Sequence, residues 1–333
     1  EPGLHHAAPS EPRLPPTVAV RQLLLHLQAL HSPPTGAAIS GAWSFLRIDV
    51  PMAAPGPQVK FLLDWLSCQR GMFPRALFVS RDGSIAMAGA GAAHVHSPGA
   101  EEPLLPQLSD DCPKDLRYVG GARFDCADGQ ASASSGEWKS FGRGYWMLPR
   151  VEVSATFAQS SPASTGSAAS SEASSSPGTP VAGGATAVVG EGRLLPRAVL
   201  SVNLRWPTDG GQEGWLAERR RAMEALKKVR FHTAAGRRGV AAQRRDTVSR
   251  DEFEARVREA LDAFSSGQLH KVVLARRMLL DLVWEQDSVE LLRQVVGTTY
   301  KRHYLFLLEP VKGTAFVCLS PERLCKVQGR DMW

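Results

Sequence analysis

Apolar positions along this chain recur with two periods, and the switches between them mark out its elements. Residues 18–30 carry a short helical pattern that Ser32-Pro33-Pro34 stops. Residues 43–50 (Trp-Ser-Phe-Leu-Arg-Ile-Asp-Val) alternate and predict a strand that Pro51 closes, and Phe61, Leu62, Trp65 and Leu66 return to helical spacing. Two short strands at 75–80 and 84–89 flank Asp82-Gly83, a hairpin turn in which glycine supplies the positive φ. A further strand is expected over 116–125. Trp138, Phe141, Tyr145, Trp146 and Leu148 lead into the strand at 149–153. Aromatics interleaved with arginine can stack on nucleic-acid bases, but among strand signals they read as sheet core.

Residues 158–190 are almost entirely Ser, Ala, Gly, Thr and Pro. Such a tract cannot bury enough apolar surface to offset the entropy of ordering, so a disordered loop is expected. Strand character resumes at 198–204, which makes the tract an insert between two neighbouring strands rather than a linker between domains. A helix is expected over 212–230, with Trp215, Ala222, Met223, Leu226 and Val229 as its apolar stripe. Ser249-Arg250-Asp251-Glu252 is a capping box. Behind it, Phe253, Val257, Ala260, Leu261 and Phe264 form one face of an amphipathic helix that ends at Ser265-Ser266-Gly267. Residues 268–277 (Gln-Leu-His-Lys-Val-Val-Leu-Ala-Arg-Arg) then read as an apolar, β-branched strand with Lys271, Val273 and Ala275 on one face. A helix at 288–296 and strands at 304–308 and 315–319, joined by a turn near Gly313, complete the pattern. The fold class expected is α+β, with large antiparallel sheet layers and helices packed outside. Residues 1–37 form a flexible arm and a short helix, and 38–333 form one domain carrying the insert.

Composition adds bounds. At 333 residues, 43% hydrophobic and 22% charged, the chain has material for a substantial core. Five cysteines, scattered and without C-x-x-C spacing, suit a reducing compartment and argue against a disulfide framework or a structural zinc site. No apolar run approaches the roughly 18–20 residues of a membrane span. His94 and His96 share a strand face but have no third ligand nearby, and Gly89-Ala90-Gly91 is too short for a phosphate loop. The net charge is +6, and Arg219, Arg220, Arg221, Lys227, Lys228, Arg230, Arg237, Arg238, Arg244 and Arg245 concentrate positive charge in one region. A non-catalytic polyanion-binding module is therefore one reading. A solvated helix face followed by a charged loop is the reading preferred, since no nucleic-acid motif accompanies the charge.

The candidate chemistry lies later. Lys271 stands at the mouth of an apolar strand, and alone it would be an edge lysine. Paired with Ser320-Pro321-Glu322-Arg323-Leu324, however, the stretch His270-Lys271-Val272-Val273-Leu274-Ala275-Arg276 resembles the chorismate-utilising enzymes. Lysine rather than glutamine in the first motif narrows the likeness to isochorismate synthase. The amino-terminal half is similar to the plant and algal type, through residues 43–50, Phe73-Pro74-Arg75, residues 120–125 and residues 148–152. The likeness covers about 38–157 and 195–328. It implies an isomerase that adds water to chorismate with loss of the 4-hydroxyl, with Lys271 as general base and Glu322 as general acid, each tuned toward neutrality. It also implies Mg2+, held by glutamates that fall beyond Trp333, so no metal ligand is assigned and this chain is expected to be a fragment without synthase activity of its own. Other expectations from the likeness are chorismate as ligand, no nucleic-acid partner, a monomer and a plastid location. The product would feed phylloquinone or menaquinone, or salicylate. Salicylate synthase, which shares the lysine and glutamate but adds pyruvate elimination, is the alternative within the family.

Overall fold

The computed structural model describes residues 13–54, 56–123, 136–156, 197–231, 242–297, 302–328 and 331–332; the insert at 158–190 lies outside them, as do residues 124–125 of the strand expected over 116–125. In chain order the elements are α1 (Pro16–Ala29), β1 (Ala38–Ser40), β2 (Trp43–Ala53), α2 (Gln58–Cys68), β3 (Arg75–Val79), β4 (Ala86–His96) and β5 (Val119–Ala122). There follow β6 (Gly144–Thr156), β7 (Arg197–Pro207), α3 (Gly211–Lys228), β8 (Ala242–Asp246), α4 (Arg250–Ser265), β9 (Met278–Leu282) and α5 (Ser288–Val296). The last elements are β10 (Tyr304–Val311), β11 (Thr314–Ser320), β12 (Val327–Gln328) and β13 (Asp331–Met332).

Nine strands form one sheet in the order β1-β2-β7-β6-β4-β3-β10-β11, with β5 added to β6, and every pairing within it is antiparallel. The class is therefore mixed α+β around a large antiparallel sheet. Thr156 and Arg197 are register partners on β6 and β7. The Ser/Ala-rich tract thus leaves and re-enters the sheet on one rung, which an insert can do because loop closure costs entropy only logarithmically with length. The β3–β4 hairpin turns at Gly83 with φ 71°. Asp82 Oδ1 braces that turn by accepting from Ser80 Oγ (2.6 Å), Ser84 N (3.0 Å) and Ser84 Oγ (2.7 Å). These hydrogen bonds, chiefly the one from Ser80, hold the Asp82 carboxyl down at about 2.

Alternation sorts the strand residues onto two faces. One face meets the helices: Leu23 and Leu27 of α1, Leu62 and Trp65 of α2, Trp215 and Leu226 of α3 and Leu292 of α5 pack on Val50, Val151, Leu200, Val202, Leu305 and Leu307. The other carries two smaller clusters. Met87, Val119, Phe141, Tyr145, Met147 and Leu308 form one, and Phe45, Cys112, Leu116 and Leu148 the other. The aromatic run at 138–148 is thus sheet core. β5 lies so close to β6 that a Cβ on Gly120 would meet the Tyr145 carbonyl oxygen at 2.0 Å and Trp146 Cα at 2.6 Å. No helix among the described residues is long and apolar enough to cross a membrane.

The strand expected over 268–277 is not formed. Residues 270–277 belong to no ladder, and regular pairing begins only at Met278, where β9 pairs with β8 in a separate two-stranded ribbon. The apolar stripe of α4 likewise reaches no core: none of its residues is fully buried, and Val273 beyond it is 80% exposed. An alternating apolar segment becomes a strand only where a neighbour pairs its backbone. Among the described residues, nothing pairs 270–277.

Candidate active site

The two motifs with the chemistry of general acid–base catalysis sit at opposite ends of short, locally specified turns. The capping box that starts α4 is complete: Ser249 Oγ accepts from Glu252 N at 3.2 Å, and Glu252 Oε2 accepts from Ser249 N at 2.8 Å. The helix ends at Gly267 with φ 72°, and the N–H groups of Gln268 and Leu269 both return to the Ala263 carbonyl, at 2.9 and 3.2 Å. This cap fixes the direction in which His270 and Lys271 leave the helix. The far end of the extended segment is tied by Thr247 Oγ1 donating to the Arg277 carbonyl (2.8 Å) and by Arg277 Nη2 on Glu137 Oε1 (2.5 Å). Between these ties, Lys271 is exposed.

Glu322 follows β11, one turn past the Tyr304–Ser320 rung that closes the β10–β11 ladder. Its backbone N–H donates to Ser320 Oγ at 3.2 Å, and Arg81 Nη1 donates to the Pro321 carbonyl at 2.9 Å, pinning the turn to the β3–β4 hairpin. The carboxylate is exposed at the wall of a cavity of about 420 Å3, with Phe78, Asp82, Tyr304 and Arg323 among its neighbours. Lys271 does not line that cavity. The structure therefore presents both residues to solvent and does not bring them together.

Other residues with chemical potential were less legible in the sequence. Arg47 donates from Nη1 to Glu152 Oε2 (2.9 Å) and from Nη2 to Glu152 Oε1 (3.1 Å) and Ser201 Oγ (2.7 Å), linking β2, β6 and β7. Burial opposes the Arg47 charge, but the hydrogen-bonded Glu152 carboxylate outweighs it and the pKa ends raised. His94 and His96 have individual partners, Tyr118 Oη on His94 Nδ1 and the Pro103 carbonyl on His96 Nε2, each at 2.8 Å. Burial, then the nearby Arg205 charge, pushes His94 down to about 4. Contacts such as Arg47–Glu152 carry no local sequence signature, since they join residues about a hundred positions apart. Alternation does place Arg47 on the same face as Phe45.

An antiparallel sheet backed by helices on one face, with a lysine motif after a capped helix and a glutamate motif after an edge strand, defines a class. Residues 195–333, which hold both Lys271 and Glu322, match the model of the chorismate-binding enzyme family, described as "Chorismate binding enzyme". Two similar proteins carry isochorismate synthase in their names. Over 87 residues the chain is 32% identical to an Aeromonas hydrophila protein named "Putative isochorismate synthase", an alignment covering 26% of this chain and 22% of that protein. The fold matches that of MenF, the menaquinone-specific isochorismate synthase from Escherichia coli, with a TM-score of 0.58 and 18% identity. That superposition covers 93% of this chain and 56% of MenF, and at such identity it shows a shared fold. The chain thus spans little more than half of MenF and less than a quarter of the Aeromonas protein.

Proposed function

We propose that the protein these residues belong to converts chorismate to isochorismate, with Lys271 as general base and Glu322 as general acid. The observation that supports this reading is that both motifs fall inside the family-matched residues 195–333. In the reaction, Lys271 takes a proton from a water that forms a C–O bond to the ring. Glu322 gives a proton to the 4-hydroxyl, which departs as water while both ring double bonds shift. One water enters and one leaves, so the net change is isomerisation. The two groups must flank the ring on opposite sides, which requires the exposed 270–277 segment to close toward the turn bearing Glu322.

The resemblance also calls for Mg2+. Among the described residues no group of three or more His, Cys, Asp or Glu is placed to hold a metal ion, so this donor set does not fit it and no step is assigned to Mg2+. The plant and algal character of the amino-terminal half supports a plastid location and a quinone or salicylate destination for the product.

The test is chorismate incubated with the protein, expressed from its own coding sequence, in H2-18O buffer containing Mg2+, with products separated by chromatography and weighed by mass spectrometry. Isochorismate carrying one solvent oxygen, without pyruvate, is expected. Salicylate with pyruvate would establish the salicylate synthase reading instead, and unconsumed chorismate would overturn both.

A further inference from the structure

On the sheet face away from the helices, the loop from residue 97 to residue 118 forms one side of an open cavity of about 330 Å3. Its wall includes Phe45 of β2, His94 of β4, Tyr118, Arg205 of β7, and Leu105 and Leu108 of the loop. Neither Lys271 nor Glu322 lines it. Arg205 differs from the other arginines buried in this sheet. Arg47 has Glu152 at 2.9 Å, Arg75 has Glu309 at 2.5 Å and Arg150 has Glu218 at 2.5 Å. The Arg205 guanidinium instead stacks on Trp43, 3.5 Å from the ring centroid, with Phe45 at 5.8 Å. Its Nε is buried without a hydrogen-bond partner.

The nearest carboxylates are otherwise engaged. Glu218 Oε1 takes the backbone N–H of Arg205 and the Arg150 side chain, not the Arg205 guanidinium. Glu102, at the cavity edge, turns its Oε2 to the Gly99 N–H at 2.9 Å. Burial pushes the Arg205 pKa down, and the charges of Tyr118 and Glu218 offset that only in part. The cavity therefore offers a half-buried guanidinium that, among the described residues, has no ion-pair partner, a Tyr118–His94 polar pair and the apolar side chains of Phe45, Leu105 and Leu108.

We propose that this cavity binds a small organic carboxylate, its carboxylate on the Arg205 guanidinium and its apolar body against Phe45, Leu105 and Leu108. A planar guanidinium is suited to a carboxylate, and stacking on Trp43 fixes the plane in which it presents its N–H groups. The proposal stands independently of the isochorismate reading, since it uses none of that site's residues.

Isothermal titration of the 333-residue protein with benzoate, against the neutral isostere benzamide, tests it. Benzoate binds at one site per chain and benzamide at least about tenfold more weakly, the loss of one charge-assisted contact. Arg205→Gln lowers benzoate affinity by about tenfold or more and leaves benzamide within about twofold. Should Arg205→Gln fail to fold by circular dichroism, Gln107→Glu, an exposed polar residue of the same wall, provides the second variant. The added carboxylate weakens benzoate several-fold at low ionic strength and spares benzamide. Absence of benzoate binding, equal binding of the two probes, or benzoate affinity unmoved by whichever variant folds would overturn the assignment.

Discussion

Glu309 offers the sharpest test of how the sheet is held. It is 2% exposed, and its Oε2 accepts from Arg75 Nε at 2.8 Å, Arg75 Nη2 at 2.5 Å and Ser288 Oγ at 2.7 Å, while Oε1 accepts from Gly313 N at 3.2 Å. The residue thus joins β10 to its register partner Arg75 on β3 and to the first turn of α5, whose N-cap Asp287 also contacts Arg75 Nη2 at 3.0 Å. Glu309→Leu removes the carboxylate and leaves Arg75, 1% exposed, with the partly exposed Asp287 as its remaining counter-ion and longer contacts to Ser288 Oγ (3.3 Å) and the Leu66 carbonyl (3.5 Å). Breaking a buried pair from one side costs about 3–5 kcal/mol. For a domain of this size that corresponds to a fall in Tm of about 6–20 °C, a large share of a typical stability of roughly 5–15 kcal/mol. Thermal and urea unfolding followed by far-UV circular dichroism measure it. The paired change Arg75→Met with Glu309→Leu should recover a substantial part of the loss, because no charge is then stranded. A Glu309→Leu shift below about 2 °C, or a double variant whose loss is the sum of the singles, would refute the reasoning.

Three further outcomes are expected. Gly120→Ala should destabilise by about 1–3 kcal/mol and speed amide exchange across Val119–Ala122, because its Cβ would strike β6 backbone; Gly121→Ala, with nothing within 4 Å of its Cβ, is the control, and equal behaviour of the two would contradict the close approach. His94, ordinarily near 6.5 and held at about 4 chiefly by burial, should make the protein acid-labile. The unfolded state takes up the proton first as pH drops, so stability is full above about 6.5 and is lost progressively down to about 4. Comparing Tm at pH 7.5 and 5.0 in wild type and His94→Asn checks this, and equal acid losses in both would remove His94 from the explanation. Expressed alone, these 333 residues should form no isochorismate, since Lys271 and Glu322 lie open to water and share no cavity; measurable product would show that the site assembles within them.

Much of the fold was legible wherever the signal is local. The capping box at Ser249–Glu252, the Asp82-Gly83 turn and the period-two runs on β2 and β7 are each decided by neighbours within a few residues, and each appears as expected. The reading of 158–190 as an insert within one sheet followed from strand character resuming at once, and the Thr156–Arg197 rung accounts for it. Residues 268–277 mark the limit. Their β-branched alternation specifies an extended backbone and two faces, but not the partner that would pair it, and pairing is a property of distant residues. The same holds for Phe264 and Leu261, whose spacing announced an apolar stripe of which no residue is fully buried. The site was legible as motifs and not as geometry. Lys271 and Glu322 could be picked out by resemblance, whereas the cavity at Arg205 depends on a loop that forms one of its sides.

The most direct test of the proposed chemistry is the rate of isochorismate formation from chorismate by the protein expressed from its own coding sequence, compared with its Lys271→Ala and Glu322→Gln variants. If these residues are the base and the acid, each variant lowers turnover by at least about 100-fold while KM stays close to the wild-type value. A near-normal rate from either variant would contradict the role assigned to that residue, and near-normal rates from both would remove the basis of the functional reading.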